Sequence, residues 1–450
     1  MLVNFLLFQH NTRNSQFFPP TNIKTKERHY MTEKTKFSGY SQAFLAALIT
    51  FTIGMSYGAY SMLILPLAER LNISTAAAGI PGTVETFAAF GLGLLGAGTL
   101  IKKWTARRCI LIGALVASAF CGAYLYLPTL FLVGVYEAIV GFTQSFGYSV
   151  GMAAFIRQWF IEKREMVLGV ATAAIGFGSA AGTFLYGVIE TNMGTGAVAI
   201  GFAGLGVLCL IIYLFFLRTP EQLGQKPLGW EKAEALAAAE GKAGGVDFGI
   251  EFKDALKSPS LYLIMGSCLL WALAMVTTPY LATILMTNGM DTMGAANYSS
   301  ISNLAVAGMA LLLGTLTSKL GPKSYVVTAF GAGILGLITL QMWTTTQSSA
   351  ILFVASILMG GGYVVGNTYA PMVTTKVFGN KAYDQIIPLV FGMRCVGLGV
   401  GVLLLPGIAD KTGSWTLSLY LAMGMMVVAI FIGLLALKLA PMNKLHTAKD

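Results

Sequence analysis

Charge is scarce in this chain of 450 residues: Asp, Glu, Lys and Arg make up 11%, against 56% hydrophobic residues. A soluble domain carries roughly 25% charged residues, and one globular core stops growing at about 250–300 residues. Two or three soluble domains could not solvate their surfaces with the 29 basic and 19 acidic side chains available. Histidine is scarcer still. His10, His29 and His446 all lie in the tails, so there is no HExxH zinc motif and no buried catalytic dyad. The five cysteines (Cys109, Cys121, Cys209, Cys268, Cys395) sit in apolar stretches without CxxC spacing. That excludes a disulfide framework and a cysteine metal site, and leaves them as small packing residues. A phosphate loop is missing too: Gly321-Pro322-Lys323-Ser324 has its preceding glycine seven residues upstream at Gly314, where five are needed. A soluble enzyme, a nucleic-acid module and a disordered scaffold are thereby excluded. No cofactor, no metal and no ATP-driven step is expected.

What the chain has in excess is apolar length. A bilayer core needs about 20 mostly apolar residues per helix, and twelve such runs can be marked. They lie near 41–65, 77–101, 109–127, 130–156, 165–189, 196–217, 258–285, 297–317, 324–343, 350–375, 385–408 and 415–437. The runs are too long for strands and lack the period-2 alternation of a membrane barrel. Glycine, at 53 residues, is enriched in membrane helices. The expected fold is an all-α integral membrane protein of twelve transmembrane helices.

The net charge of +10 is not a nucleic-acid footprint, because the basic residues fall in short clusters between apolar runs. With twelve passes both termini share one side. That side holds 26 of the 29 basic residues, the opposite loops hold Arg70 and Lys411, and Arg394 is left inside the eleventh run. Cytoplasmic loops carry the excess of Lys and Arg. Both termini are therefore expected in the cytoplasm, with the chain multi-pass in the cell's inner (plasma) membrane. Near the start, Leu2–Phe8 is too short to span and has no basic segment before it, unlike a signal peptide. Residues 1–30 are read as a disordered tail or as an upstream translation preceding Met31.

Residues 218–256 form the one long polar interval and divide the chain into two six-helix halves, 39–217 and 257–438, with tails at 1–38 and 439–450. An internal repeat supports the division. Gly98-Thr99-Leu100 matches Gly314-Thr315-Leu316 at an offset of 216, and Gly141, Gly178 and Gly182 match Gly360, Gly397 and Gly401 at 219. The pairs 178/182 and 397/401 have the GxxxG spacing that lets helix backbones approach closely.

Two six-helix halves, a polar mid-chain interval and basic loops after runs two and eight resemble the major facilitator superfamily over roughly residues 38–438. More narrowly, the chain is similar to the oxalate/formate antiporter and monocarboxylate transporter group. The stretches that carry this are Arg157-Gln158-Trp159-Phe160 with Lys163-Arg164, Thr219-Pro220-Glu221-Gln222-Leu223-Gly224, Gly361-Gly362-Tyr363, Val377-Phe378-Gly379 and a cation in run eleven. The resemblance implies a monomeric antiporter or proton symporter of a small organic anion, a mono- or dicarboxylate. There are departures. The usual acidic residue of the loop after run two reads Lys102, its counterpart is Ser318, and the loop glycine kept at Gly321 becomes Thr105 in the first half. The run-eight arginine of oxalate transporters falls at about Ala310, so one cation rather than two is expected to meet the carboxylate.

Intramembrane charges cost about 2.5–3.5 kcal/mol on insertion scales, so each needs a reason. Arg394 lies about ten residues into its helix, roughly 15 Å deep at 1.5 Å per residue. Its planar fork of donors matches a carboxylate. It is read as the anion-binding residue, with a structural ion pair to Glu85 or Glu137 as the alternative. Burial favours the protonated form of a carboxylic acid, so Glu85 and Glu137 are candidate proton carriers, or else hydrogen-bonded structural acids. Tyr57 and Tyr60 share a helix face, as do Gln144 and Tyr148. Tyr280, Asn303, Tyr363 and Asn367 mirror them in the second half. These are candidate substrate contacts, and packing or an interhelical hydrogen bond is the competing role for each. Trp271 is assigned to the core. The rivals to an anion carrier are a drug or sugar carrier of the same fold and a non-transporting membrane sensor.

Overall fold

The computed structural model describes residues 37–89, 100, 103–144, 146–147, 150–161, 163–230, 249–379 and 381–442. The first half runs α1 (Gly39–Leu71), α2 (Thr75–Ala88), α3 (Ala106–Ala123), α4 (Leu130–Gln144), α5 (Val150–Trp159), α6 (Arg164–Met193) and α7 (Thr195–Ile211), the last extended by a π-helical turn Ile212–Phe216. Two short helices follow, α8 (Pro220–Leu223) and α9 (Phe252–Lys257). The second half runs α10 (Pro259–Met275), α11 (Leu281–Thr287), α12 (Thr292–Thr346), α13 (Ser349–Phe378), α14 (Tyr383–Thr412) and α15 (Thr416–Lys438). Among the described residues the fold is all-helical apart from isolated bridges.

Seven of the described helices are long and apolar enough to cross a bilayer. The other runs map onto shorter or interrupted helices. The fourth run is shared by α4 and α5, and the seventh is broken between α10 and α11. The 55 residues of α12 hold runs eight and nine, separated where Gly321 turns to φ 70° ahead of Pro322. Phe131, Ile200 and Phe431 are 78%, 76% and 69% exposed. Large apolar side chains turned outward on several helices face lipid comfortably and would face water at a cost.

The repeat is visible in the backbone. Thr105 and Gly321, which occupy matching places in the two halves, have φ of 71° and 70°. The first half therefore holds a β-branched residue in the left-handed region, where glycine costs least. A Cβ added at Gly178 would overlap the Phe51 carbonyl, and one at Gly397 the Leu269 carbonyl. Gly182 meets the Met55 carbonyl, and Gly401 meets Val276 and the Leu273 carbonyl. Matched glycines thus seat against matched turns of α1 and α10. Lys102 and the side chain of Ser318 lie outside the described residues, as do residues 1–36.

Both ends of the polar interval are tied down, each to its own half. Leu228 bridges Phe160, and Gly249 bridges Gly379, the counterpart of Phe160 in the repeat. Gln225 accepts from the Ser38 amide at 2.9 Å, and Lys381 pairs with Glu251 at 3.2 Å. This end of the bundle carries the basic loops. Toward the opposite end the halves close on each other. There α2 packs on α14 and α6 on α12, and four hydrogen bonds join them. The Ala76 amide donates to Asp410 at 2.8 Å and the Thr83 hydroxyl to the Gly399 carbonyl at 3.0 Å. Ser300 donates to the Ala180 carbonyl at 2.8 Å, and Asn303 to Thr183 at 3.0 Å.

Candidate functional site

In the first half the side chains on α1, α2 and α4 converge. Tyr57 comes from α1, Glu85 from α2, and Glu137 and Gln144 from α4, all on faces turned inward by the tight packing of these helices. Gly141 allows it, because a Cβ there would overlap the Glu85 carbonyl. The Gln144 amide donates to Glu85 Oε1 at 3.3 Å, and the Tyr57 hydroxyl also bonds to the Glu85 carboxylate. Tyr60 packs edge-on against Tyr124, with ring centroids 5.8 Å apart. A small cavity is lined by Ser56, Tyr57, Tyr60, Glu85, Ala117, Glu137 and Val140. Glu137 is fully buried, and neither carboxylate oxygen has a hydrogen-bond partner among the described residues.

In the second half the geometry centres on Trp271 of α10. Its indole N–H donates to the Gly362 carbonyl of α13 at 3.3 Å, and its ring lies 6.2 Å from that of Tyr363. The guanidinium carbon of Arg394, from α14, stands 5.6 Å from the indole centroid. That is within cation–π range, worth about 0.5–2 kcal/mol depending on solvation. Arg394 Nε is buried without a hydrogen-bond partner among the described residues. The ion pair present among those residues is Lys381–Glu251, so neither Glu85 nor Glu137 neutralises Arg394. The contacts Gly399–Thr83 and Gly399–Phe87 set Glu85 near the level of Gly399. Arg394 lies five residues nearer the basic end, about 7.5 Å at 1.5 Å per residue.

The sequence-derived candidates thus separate into two groups and a remainder. Tyr57, Tyr60, Glu85, Glu137 and Gln144 meet in the first half, and Arg394 with Tyr363 in the second. Tyr280 belongs to neither group. It is 2% exposed, stacks 6.0 Å from Trp415, and its hydroxyl presses on Gly79 of the other half. Asn303 is spent on the interhalf bond to Thr183. Both seal the bundle's closed end. Tyr148 and the side chain of Asn367 lie outside the described residues. Trp271, assigned to the core by sequence, is buried as expected yet is the contact on which Arg394 rests. Nothing local in the sequence marks it, because the contact joins distant positions of the chain on different helices. Asp410, near a helix end where solvent alone would satisfy it, instead caps the first turn of α2.

The family model described as Major Facilitator Superfamily matches residues 46–402. No curated protein matches the chain. Among solved structures, the chain is similar to the nucleoside transporter NupG, at 16% identity and a TM-score of 0.64, over 88% of this chain and 99% of that one. A D-xylose–proton symporter aligns at 14% identity and a TM-score of 0.67, over 90% and 98%. A bacterial homologue of the human lysosomal transporter Spinster, inward-facing and occupied, aligns at 13% and 0.62, over 91% and 97%. At these identities the likeness concerns the fold.

Proposed function

The chain belongs to the Major Facilitator Superfamily of membrane transporters, and on that premise we propose that it is a gradient-driven carrier of a small organic anion. One observation carries the reading. Arg394 is a cation placed deep in a membrane helix, and its contact among the described residues is an aromatic face rather than an acid. A buried charge left unpaired is costly, and breaking such a pair typically costs about 3–5 kcal/mol. A carboxylate arriving between the halves would meet the free edge of the guanidinium, which offers paired donors in one plane. Tyr363 stands beside it, and Tyr57, Tyr60 and Gln144 look on from the facing half as orienting groups.

Alternating access would rock the halves about this level. With the basic loops cytoplasmic, the seal made by Tyr280, Asn303, Thr83 and Asp410 lies on the outer side, and the substrate path opens inward. Glu85 and Glu137 are the groups through which an ion gradient would be coupled, the alternative being anion exchange without coupling. The rival reading, a neutral-solute carrier in which Arg394 is structural, needs an acid partner for Arg394. Glu85 is instead engaged by neutral Gln144 and Tyr57.

The test is uptake by proteoliposomes with a panel of radiolabelled monocarboxylates, dicarboxylates, nucleosides and pentoses. One cation suits one carboxylate, so monocarboxylates should compete better than oxalate-like dianions. Uptake of neutral solutes alone would move the assignment to the rival, and no uptake of any solute would favour a sensor. Cysteines placed in 218–256 should react with impermeant thiol reagents only from the cytoplasm; labelling of intact cells from outside would reverse the orientation.

A further inference from the structure

The first-half cavity holds more acid than an anion path calls for. Glu85 and Glu137 both line it, and no basic side chain lines it with them. Arg394, the intramembrane cation, rests on Trp271 across the interface. Glu137 is 0% exposed and has no partner at either oxygen among the described residues. No hydrogen bond joins the two carboxyl groups. A void with room for about one water-sized body lies beside them. Its other walls carry the hydroxyls of Ser56, Tyr57 and Tyr60 beside the apolar Ala117 and Val140.

A site whose lining offers carboxylate and hydroxyl oxygens and no nitrogen or sulfur suits a hard cation. Magnesium is a poor fit, since it keeps several of its waters and the void has no space for them. Ser56 donates to the Thr52 carbonyl at 3.3 Å, and Tyr57 donates to Glu85. Both hydroxyls have therefore used their protons and present lone pairs to a cation. We propose that the cavity between Glu85 and Glu137 binds one alkali-metal cation. The ion neutralises part of the acid pair and satisfies the stranded oxygens of Glu137. Its release toward the basic end, when the halves rock, would couple an ion gradient to transport. The site stands whether or not the anion reading of Arg394 holds.

The experiment uses the purified full-length chain in neutral detergent and needs no substrate. Thermal unfolding is followed by a thiol-reactive dye, since Cys109, Cys121, Cys209 and Cys268 are buried in the folded state. Sodium, potassium and lithium chlorides are compared with choline chloride at equal ionic strength and fixed pH. At least one alkali cation should raise the midpoint saturably above choline, and Glu137→Gln and Glu85→Gln should each remove that rise. Glu137→Asp, which keeps the charge, should retain a weakened rise. Equal midpoints in all four salts for the wild-type chain would overturn the proposal without recourse to any variant. So would a cation-specific rise that survives in Glu137→Gln, or a midpoint that responds to pH alone. Loss of anion uptake in Arg394→Gln with the sodium or potassium rise intact would leave both readings standing. Retained uptake in that variant would remove the anion reading only.

Discussion

At position 137 the first half buries a glutamate without a partner among the described residues, whereas the matching position of the second half buries Ser356, whose hydroxyl donates to the Leu352 carbonyl at 2.9 Å. At position 394 the second half sets an arginine over Trp271. The corresponding positions of the first half hold Ile175 and, on the matching turn of α1, Ile53. The glycines that bring the helices together are kept in both halves, at 141/360, 178/397 and 182/401. Close backbone approach and cavity chemistry are therefore separable. Glycine at the crossings preserves a repeated scaffold, and the residues one or two turns away are free to diverge, acids on one side and a cation on the other.

The largest expected effect falls on the crossings. A methyl at Gly182 meets the Met55 backbone, while one at Gly401 first meets the Val276 side chain at 2.7 Å, which can turn. Overpacking costs about 1–3 kcal/mol, and more where the backbone must move. Gly182→Ala should then lower the unfolding midpoint well beyond Gly401→Ala. Equal losses would show that the halves do not differ in tightness there.

The next effect sharpens the chemical contrast. Trp271→Leu removes the face under Arg394, worth about 1–2 kcal/mol when desolvated, or roughly tenfold in carboxylate affinity. Trp271→Tyr should recover part of it. In an Arg394→Gln background the Trp271 substitution should cost nothing further in binding. A tenfold loss that persists there would make Trp271 a packing residue and no more. A smaller effect lies at the seal. Asp410 accepts the Ala76 amide at the N-terminus of α2, and an anion at that position contributes about 0.3–1 kcal/mol. Asp410→Asn should shift the halves modestly toward opening at that end, read as faster labelling of a cysteine at Thr83. Unchanged labelling would show that the other contacts between the halves hold the seal without Asp410.

Much of this was legible in the sequence. Apolar length and basic clusters led to an all-helical membrane fold, and repeated glycines to matched crossings. Thr105 stood out as a departure from glycine, and the backbone there is left-handed all the same, because the turn's geometry is imposed by the helices it joins. The site was legible in part. Intramembrane charge marked Arg394, Glu85 and Glu137 because each is expensive. Which of them meet depends on helix crossings that no local pattern encodes. The sequence singles out Tyr280 and Asn303 as second-half counterparts of the first-half polar residues, yet a polar residue inside a membrane helix serves a contact between the halves as well as a cavity.

The account rests most heavily on Arg394 as the anion's partner, and binding of a monocarboxylate to wild type, Arg394→Lys and Arg394→Gln measures it directly. Arg394→Lys keeps the charge and loses the planar fork, so affinity should fall without vanishing. Arg394→Gln should abolish binding and uptake while the protein remains folded and monodisperse. Normal uptake by Arg394→Gln, or wild-type uptake restored by neutralising Arg394 together with Glu85 or Glu137, would contradict the account and make Arg394 one half of a structural pair.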